Sequence, residues 1–181
     1  VVPFKKPTTE ELDHDFLWRV HKEVPAKGQI AIFNRSHYED IIAVRVKKIF
    51  PDPVWKRRYK HVLDFESMLA EEGTVIIKLF LNISKEEQKK RLESRLQDPD
   101  KLWKFCMDDL DDRNRWDEFQ TAYQDLIEKT STPEAPWYII PADRKWYRNL
   151  VVARLMVEKL RHLQLSLPTP NFDPASIIIP D

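Results

Sequence analysis

Glycine is scarce in this sequence, which contains only Gly28 and Gly73 among its 181 residues. A glycine-rich phosphate-binding loop needs several glycines within about eight positions, so two distant glycines exclude such a loop within the chain. Cys106 is the single cysteine; it excludes an intrachain disulfide and favours a reducing compartment. No apolar run approaches the roughly 20 residues of a membrane span, and no signal peptide opens the chain. We therefore expect a cytoplasmic protein without a membrane partner.

Charge of one sign is not in excess either. The chain carries 30 basic and 30 acidic side chains, which give a formal net charge of zero at pH 7. A nucleic-acid-binding surface is therefore not expected, and any anion site must come from local clusters. The five histidines show no paired metal spacing, so no metal site is expected, and no G-x-S-x-G nucleophile elbow occurs. The length suits one domain.

Short apolar runs alternate with helical patterns along the chain. The runs at residues 29–33 (QIAIF) and 74–81 (TVIIKLFL) are typical of buried parallel strands, and residues 137–140 predict a last strand. Helical patterns occupy residues 8–24, 37–48, 54–72, 84–97, 109–129 and 146–163. This alternation predicts an α/β domain with a parallel sheet covered on both faces. The tryptophans expected in its core are Trp18, Trp55, Trp116 and Trp146.

Polar side chains directly follow the first buried run, where residues 34–40 read Asn-Arg-Ser-His-Tyr-Glu-Asp. In a parallel α/β domain ligands bind beyond the carboxyl ends of the strands. The guanidinium of Arg35 is suited to a two-point contact with phosphate oxygens. The alternative is a polar strand-to-helix turn, capped by Ser36 and Glu39, with Arg35 in a surface ion pair. The residues alone leave both interpretations open.

A second group of basic residues surrounds Asp98-Pro99. Arg91 and Arg95 are four positions apart on a predicted helix and share a face, and three further cations follow: Lys101, Lys104 and Arg113. Like charges on one helix face repel each other unless an anion lies between them. An anion site is one interpretation, and a solvated basic face balanced by the nearby aspartates is the other.

Taken in order, these segments resemble the type 2 polyphosphate kinase family. The matching stretches are IAIFNRSHYED (30–40), FESMLAEEGTVIIKLFLNISKEEQKKRLESRL (65–96), DPDKLWKF (98–105), DRNRW (112–116) and APWYIIPADRKWYRNL (135–150). They are collinear and extend to about residue 165, and together they are highly specific.

The resemblance implies a thymidylate kinase-like fold, a three-layer α/β/α P-loop kinase-like domain over residues 1–165. It implies a helical lid at about residues 91–115 and a C-terminal tail at residues 166–181. The implied activity moves a terminal phosphoryl group between polyphosphate and AMP or ADP, with Mg²⁺ as cofactor. A homo-oligomer, dimer or tetramer, is expected.

The resemblance also implies roles for individual residues. Asn34 and Arg35 fall on the family's Walker B-like Asp-Arg-Ser and are the expected catalytic residues, although Asn34 lacks the carboxylate that could organise Mg²⁺. Tyr38 and Glu39 are expected at the nucleotide, because the form N-R-S-H-Y-E resembles a subgroup that phosphorylates AMP as well as ADP. The phosphate-binding cations implied for the lid are Arg91, Arg95, Lys101, Lys104 and Arg113.

The family's Walker A loop, G-x-D-x-x-G-K, does not occur in the chain. Family order places it before Val1, so we expect it upstream. We also expect a central gap in the sheet and no turnover from these 181 residues alone. Two alternatives remain open: an ATP-dependent nucleoside or nucleotide kinase of the thymidylate kinase type, and a non-catalytic binding or assembly module.

Overall fold

The computed structural model describes residues 1–167 and 169–180. Within them, β1 (Val2–Pro3) pairs in parallel with β2 (Phe33–Asn34), and β3 (Lys78–Asn82) pairs in parallel with β4 (Trp137–Pro141). Each pair joins strands that are distant in sequence, and helices form the connections that parallel pairing requires. The predicted α/β class is confirmed.

The helices begin and end at local sequence signals. They are α1 (Thr9–Asp13), α2 (Trp18–His21), α3 (Glu39–Val46), α4 (Asp52–Glu71), α5 (Lys85–Gln97), α6 (Asp108–Asn114), α7 (Trp116–Thr130) and α8 (Lys145–His162). Thr8 and Glu11 form a capping box at the start of α1, and the Ser84 side chain caps α5. Gly73 follows α4 with a φ of 91°, the left-handed conformation that favours glycine after a helix. None of the described helices is both long and apolar enough to cross a bilayer.

Two helix predictions were wrong because each predicted helix is broken within its length. The pattern at residues 8–24 forms two short helices, since the Asp15 carboxylate accepts a hydrogen bond from Leu17 N (2.9 Å) and so competes with the helical pattern. The pattern at residues 109–129 breaks at Arg115 (φ −100°, ψ 25°). At this break the guanidinium of Arg115 donates to the carbonyl of Val46 at the end of α3 (2.8 Å).

Helices lie on both sides of β4. Trp137 packs against the main core, which α3, α4 and α7 form around Ile41, Val62 and Leu126. The ring of the next residue, Tyr138, lies 5.6 Å from Lys159 Nζ on α8. Because successive side chains of a strand point to opposite faces, α8 and the main core lie on opposite sides of the strand. This is the three-layer order that was expected.

The predicted tryptophan core holds only in part. Trp55 is buried in the main core. Trp146 is 63% exposed, so its assignment to the core was wrong. It lies in the first turn of α8, a helix without a fully buried side chain.

A groove separates the two strand pairs. It is lined by the apolar residues that precede β2 and β3, including Ile30, Ile32 and Val75. The strands predicted at 29–33 and 74–81 are therefore shorter than expected, because within the described residues no strand bonds to them across the groove. The expected central gap in the sheet is present.

Candidate active site

A polar pocket lies beyond the carboxyl end of β3, where Asn82 ends the strand. Its walls come from the turn after β2 and from α3, α5, α6 and α7. Three of the predicted phosphate contacts line it together: Arg35 from the turn, and Arg91 and Arg95 from α5. Glu39, the predicted nucleotide contact, lines the same pocket. Two segments that are distant in sequence thus meet at one site.

Arg35 has a left-handed backbone (φ 62°) directly after β2, a conformation that costs a non-glycine residue roughly 1–2 kcal/mol. Its side chain is 58% exposed, and its Nε lies 3.4 Å from Glu39 Oε1. The guanidinium can therefore reach an anion from solvent. Glu39 is the carboxylate with which that anion would compete.

The two arginines of α5 are held differently. Arg91 Nε donates to Glu87 Oε1 (2.7 Å), and its Nη2 donates to the carbonyl of Ala142 (2.6 Å). The first bond lies within α5, and the second ties α5 to the loop between β4 and α8. Arg95 Nη1 donates to Asp109 Oδ2 at 3.2 Å, and both side chains are partly exposed. Arg95 is therefore the easier of the two to transfer to a phosphate.

The remaining cations of the expected lid do not line the pocket. Lys101 is ion-paired with Asp98, and Lys104 Nζ lies 5.0 Å from the centre of the exposed Trp103 ring. Arg113 Nη1 donates to a backbone carbonyl (2.7 Å) and to a glutamine side chain (2.8 Å) of α5. Arg113 is therefore bonded to α5, and the two lysines lie on the surface between α5 and α6.

Asn34 and Tyr38 lie on either side of the Arg35 turn. Asn34 is exposed at the end of β2, where its carbonyl accepts from Phe4 N (3.0 Å). Tyr38 is 5% exposed, and its hydroxyl donates to Glu66 Oε1 (2.6 Å). Burial, and then the neighbouring charge of Glu66, raise the pKa of Tyr38. Direct contact between Tyr38 and a nucleotide does not fit this burial.

Two residues of the pocket were missed by sequence reasoning. Lys47 Nζ lies 2.7 Å from Asp112 Oδ1. The two residues of this ion pair are distant in sequence, so no local pattern predicts it. Tyr123 lines the pocket; burial and then the charge of Glu39 raise its pKa, and Arg35 opposes the shift. Tyr123 could have been found, because it lies four residues from Phe119 on one helix face.

The charges of the pocket nearly balance. Its lining cations are Arg35, Lys47, Arg91 and Arg95, and its lining carboxylates are Glu39, Asp109 and Asp112. Each cation has a carboxylate partner. A ligand with several negative charges can replace such partners, whereas a single weak anion gains little from doing so.

A metal cage is not evident in this part of the chain. Within residues 1–167 and 169–180, no group of three or more histidine, cysteine or acidic side chains could hold a metal ion. These residues therefore do not fit a dedicated protein-built magnesium site. Magnesium commonly binds through one or two carboxylates together with substrate phosphates and water.

Comparison with known proteins identifies the family. The family model described as Polyphosphate kinase 2 matches residues 1–167. A Meiothermus ruber protein named AMP/ADP-polyphosphate phosphotransferase is 53% identical over 179 residues, which cover 99% of this chain and 67% of the relative. A Rhodopseudomonas palustris protein named ADP-polyphosphate phosphotransferase is 39% identical and covers 93% of this chain, which spans 62% of that relative.

A solved structure supports the assignment of the fold. The crystal structure of polyphosphate kinase 2 from Arthrobacter aurescens TC1 matches 97% of this chain with a TM-score of 0.93 and 49% sequence identity. This chain covers 62% of that structure, and it spans about two thirds of the length of the relatives named above. The fold is P-loop kinase-like, and the chain belongs to the polyphosphate kinase 2 family.

Proposed function

We propose that this chain forms the basic pocket and lid of a phosphotransferase that moves a terminal phosphoryl group between inorganic polyphosphate and AMP or ADP. The observation that carries the proposal is the convergence of Arg35, Arg91 and Arg95 on one pocket beyond the end of β3. The names of these two relatives support polyphosphate and adenine nucleotides as the substrates.

The geometry suits phosphoryl transfer, which mainly needs positive charge around the migrating group, alignment of the reactants and exclusion of water. In this proposal Arg35 and Arg95 exchange their carboxylate partners for phosphate oxygens. Arg91 keeps its bonds to the β4–α8 loop and contributes charge from a fixed position. Glu39, released from Arg35, orients the nucleotide.

The lid contributes after closure. Lys101 and Lys104 lie between the break at Asp98 and the start of α6, outside the pocket. We propose that closure of residues 91–115 brings these lysines over the phosphates, and that Arg113 holds the base of the lid to α5. A closing lid supplies charge and excludes water in the same movement.

Magnesium enters this proposal with the substrate. Because the described residues offer no dedicated cage, the ion would be carried mainly by the phosphates. Asn34, which has an amide where the family has a carboxylate, contributes a neutral polar group beside Arg35.

Assembly and location stay predictions. The exposed apolar side chains of Trp146, Leu150 and Val157 on α8 support a homo-oligomer, and light scattering of the purified protein measures its oligomeric state.

The cytoplasmic location expected from the sequence can be checked by cell fractionation.

A coupled assay on the full-length protein tests the activity. With polyphosphate and Mg²⁺ present, AMP should yield ADP and ADP should yield ATP. Polyphosphate should exceed ATP as phosphoryl donor, because a long polyanion can engage several pocket cations at once. If neither nucleotide is phosphorylated, the proposal is wrong; if ATP is the better donor, the protein is a nucleotide kinase of the thymidylate kinase type.

A further inference from the structure

Behind the Arg35 turn, four polar side chains form a buried polar cluster: His37, Tyr38, Glu66 and Lys78. Each residue is between 4% and 7% exposed. Glu66 lies at the centre: its Oε1 accepts from the Tyr38 hydroxyl (2.6 Å) and lies 3.2 Å from His37 Nε2, and its Oε2 accepts from Lys78 Nζ (2.7 Å). One carboxylate therefore holds three side chains.

The cluster links the elements that surround the pocket. His37 and Tyr38 belong to the turn between β2 and α3, Glu66 lies on α4, and Lys78 begins β3. Lys78 Nζ also donates to the carbonyl of Thr130 at the end of α7 (2.6 Å). Through Glu66, the turn is bonded to β3 and, by one further step, to α7. Both of these elements contribute walls to the pocket.

Stability alone does not account for this arrangement. Burying an ion pair requires removing two charges from water, and apolar side chains of similar volume often serve stability as well or better. Apolar packing cannot fix direction as hydrogen bonds do. The contribution of the cluster is therefore geometric.

The residue that needs such a restraint is Arg35, because its left-handed backbone is disfavoured for a side chain of its size. On one side, the carbonyl of Asn34 is held by Phe4 N at 3.0 Å. On the other side, His37 and Tyr38 are held by Glu66. The strained residue lies between two fixed points.

We propose that Glu66 is a positioning residue: by holding His37 and Tyr38 it keeps the Arg35 backbone left-handed and its guanidinium at the pocket. Glu66 does not line the pocket itself, so it acts through the turn. The inference rests on the proposed function, in which Arg35 binds phosphate.

The main test is Tyr38→Phe in the full-length protein. It removes the hydroxyl that donates to Glu66 and accepts from Lys78 Nζ (3.2 Å), and it leaves the direct Glu66–Lys78 bond in place. We expect kcat/KM for polyphosphate to fall about tenfold. In an Arg35→Lys background the same substitution should lower kcat/KM for polyphosphate less than about threefold, because both changes act through the side chain at position 35. If the two losses simply multiply, or if the melting temperature falls and kcat/KM does not, the inference is wrong.

Tyr59→Phe is the matched control. Tyr59 is another buried tyrosine of the main core, on α4 and outside the cluster. Its substitution should change kcat/KM less than about twofold. An equal loss in both tyrosine variants would indicate general core damage and overturn the positioning role.

Amide hydrogen exchange separates this inference from the proposed function. In Tyr38→Phe, amides 35–37 should exchange about tenfold faster, while those of α7 stay unchanged. Unchanged exchange at 35–37 overturns the inference even in an active enzyme. If the wild-type protein transfers no phosphate but the exchange result holds, the proposed function fails and the positioning of Arg35 stands.

Discussion

At the scale of single residues, we expect the arginines of the pocket to exchange carboxylate partners for phosphate oxygens. The Arg35–Glu39 pair is exposed and 3.4 Å long, and such surface pairs contribute at most about 1 kcal/mol. A hydrogen bond from a guanidinium to a charged phosphate oxygen contributes about 1.5–3 kcal/mol. Phosphate is therefore the better partner for Arg35.

Substituting Arg35 should accordingly affect activity more than stability. Arg35→Ala is expected to lower kcat/KM for polyphosphate about 10²- to 10³-fold, since a preorganised charge-stabilising donor is lost. Arg57→Ala, at an exposed position of α4, is the matched control and should remain within about twofold of wild type. Steady-state kinetics on the full-length protein measure both. Equal losses in the two variants would contradict a phosphate contact at Arg35.

The buried pair makes a separate prediction about stability. Glu66→Gln leaves the Lys78 charge buried without its carboxylate and should lower the free energy of unfolding by about 3–5 kcal/mol. Adding Lys78→Met removes that charge and should recover most of the loss. Urea denaturation of Glu66→Gln and of the double variant against wild type measures this, and a double variant no more stable than Glu66→Gln would contradict it.

The same carboxylate predicts a pH dependence. Burial raises the pKa of Glu66, but hydrogen bonds from His37, Lys78 and Tyr38 outweigh burial and lower it. A lowered pKa in the folded state gives stability that is fully present above the unfolded pKa of about 4.3, and that is lost as pH falls through the folded value. The stability difference between wild type and Glu66→Gln should therefore shrink below about pH 4.3. A constant difference from pH 7 to pH 3 would be inconsistent with a lowered pKa.

At the scale of elements, the sequence predicted helix starts better than strand lengths. The Ser84 hydroxyl caps α5 by accepting a hydrogen bond from the Glu87 amide, three residues later. Such a cap depends only on neighbouring residues, so it can be predicted from the sequence. Glu87, three residues after Ser84, accepts a hydrogen bond from Arg91 and does not complete a capping box. The strands at residues 29–33 and 74–81 were overestimated because strand length depends on neighbours distant in the chain.

The cap of α5 is directly testable because this helix carries both Arg91 and Arg95. Ser84→Ala should destabilise the protein by about 1 kcal/mol, while Ser84→Asp should retain the cap. Thermal unfolding compares the two variants. Equal melting temperatures for Ser84→Ala and wild type would show that the cap contributes nothing.

At the scale of the whole molecule, the convergence of Arg35 with Arg91 and Arg95 was predictable only through the family resemblance. Spacing alone left each cluster open to interpretation as a solvated surface. The structure adds what no local pattern contains: the Lys47–Asp112 pair, the burial of Tyr38, and the bonds that fix Arg91. All three depend on which distant elements meet.

The last prediction concerns the 181 residues by themselves. Their two glycines, Gly28 and Gly73, lie outside the basic pocket, so within this chain no glycine loop can hold phosphates against Arg35. The groove between the strand pairs also leaves Ile30 and Val75 more than half exposed, which favours association over catalysis. This polypeptide should bind polyphosphate weakly and show no turnover. The binding should be lost above roughly 0.5 M salt, because salt reduces the distance over which charges interact. Titration at several salt concentrations and the coupled assay measure both properties, and turnover by this polypeptide would show that its own residues suffice for catalysis.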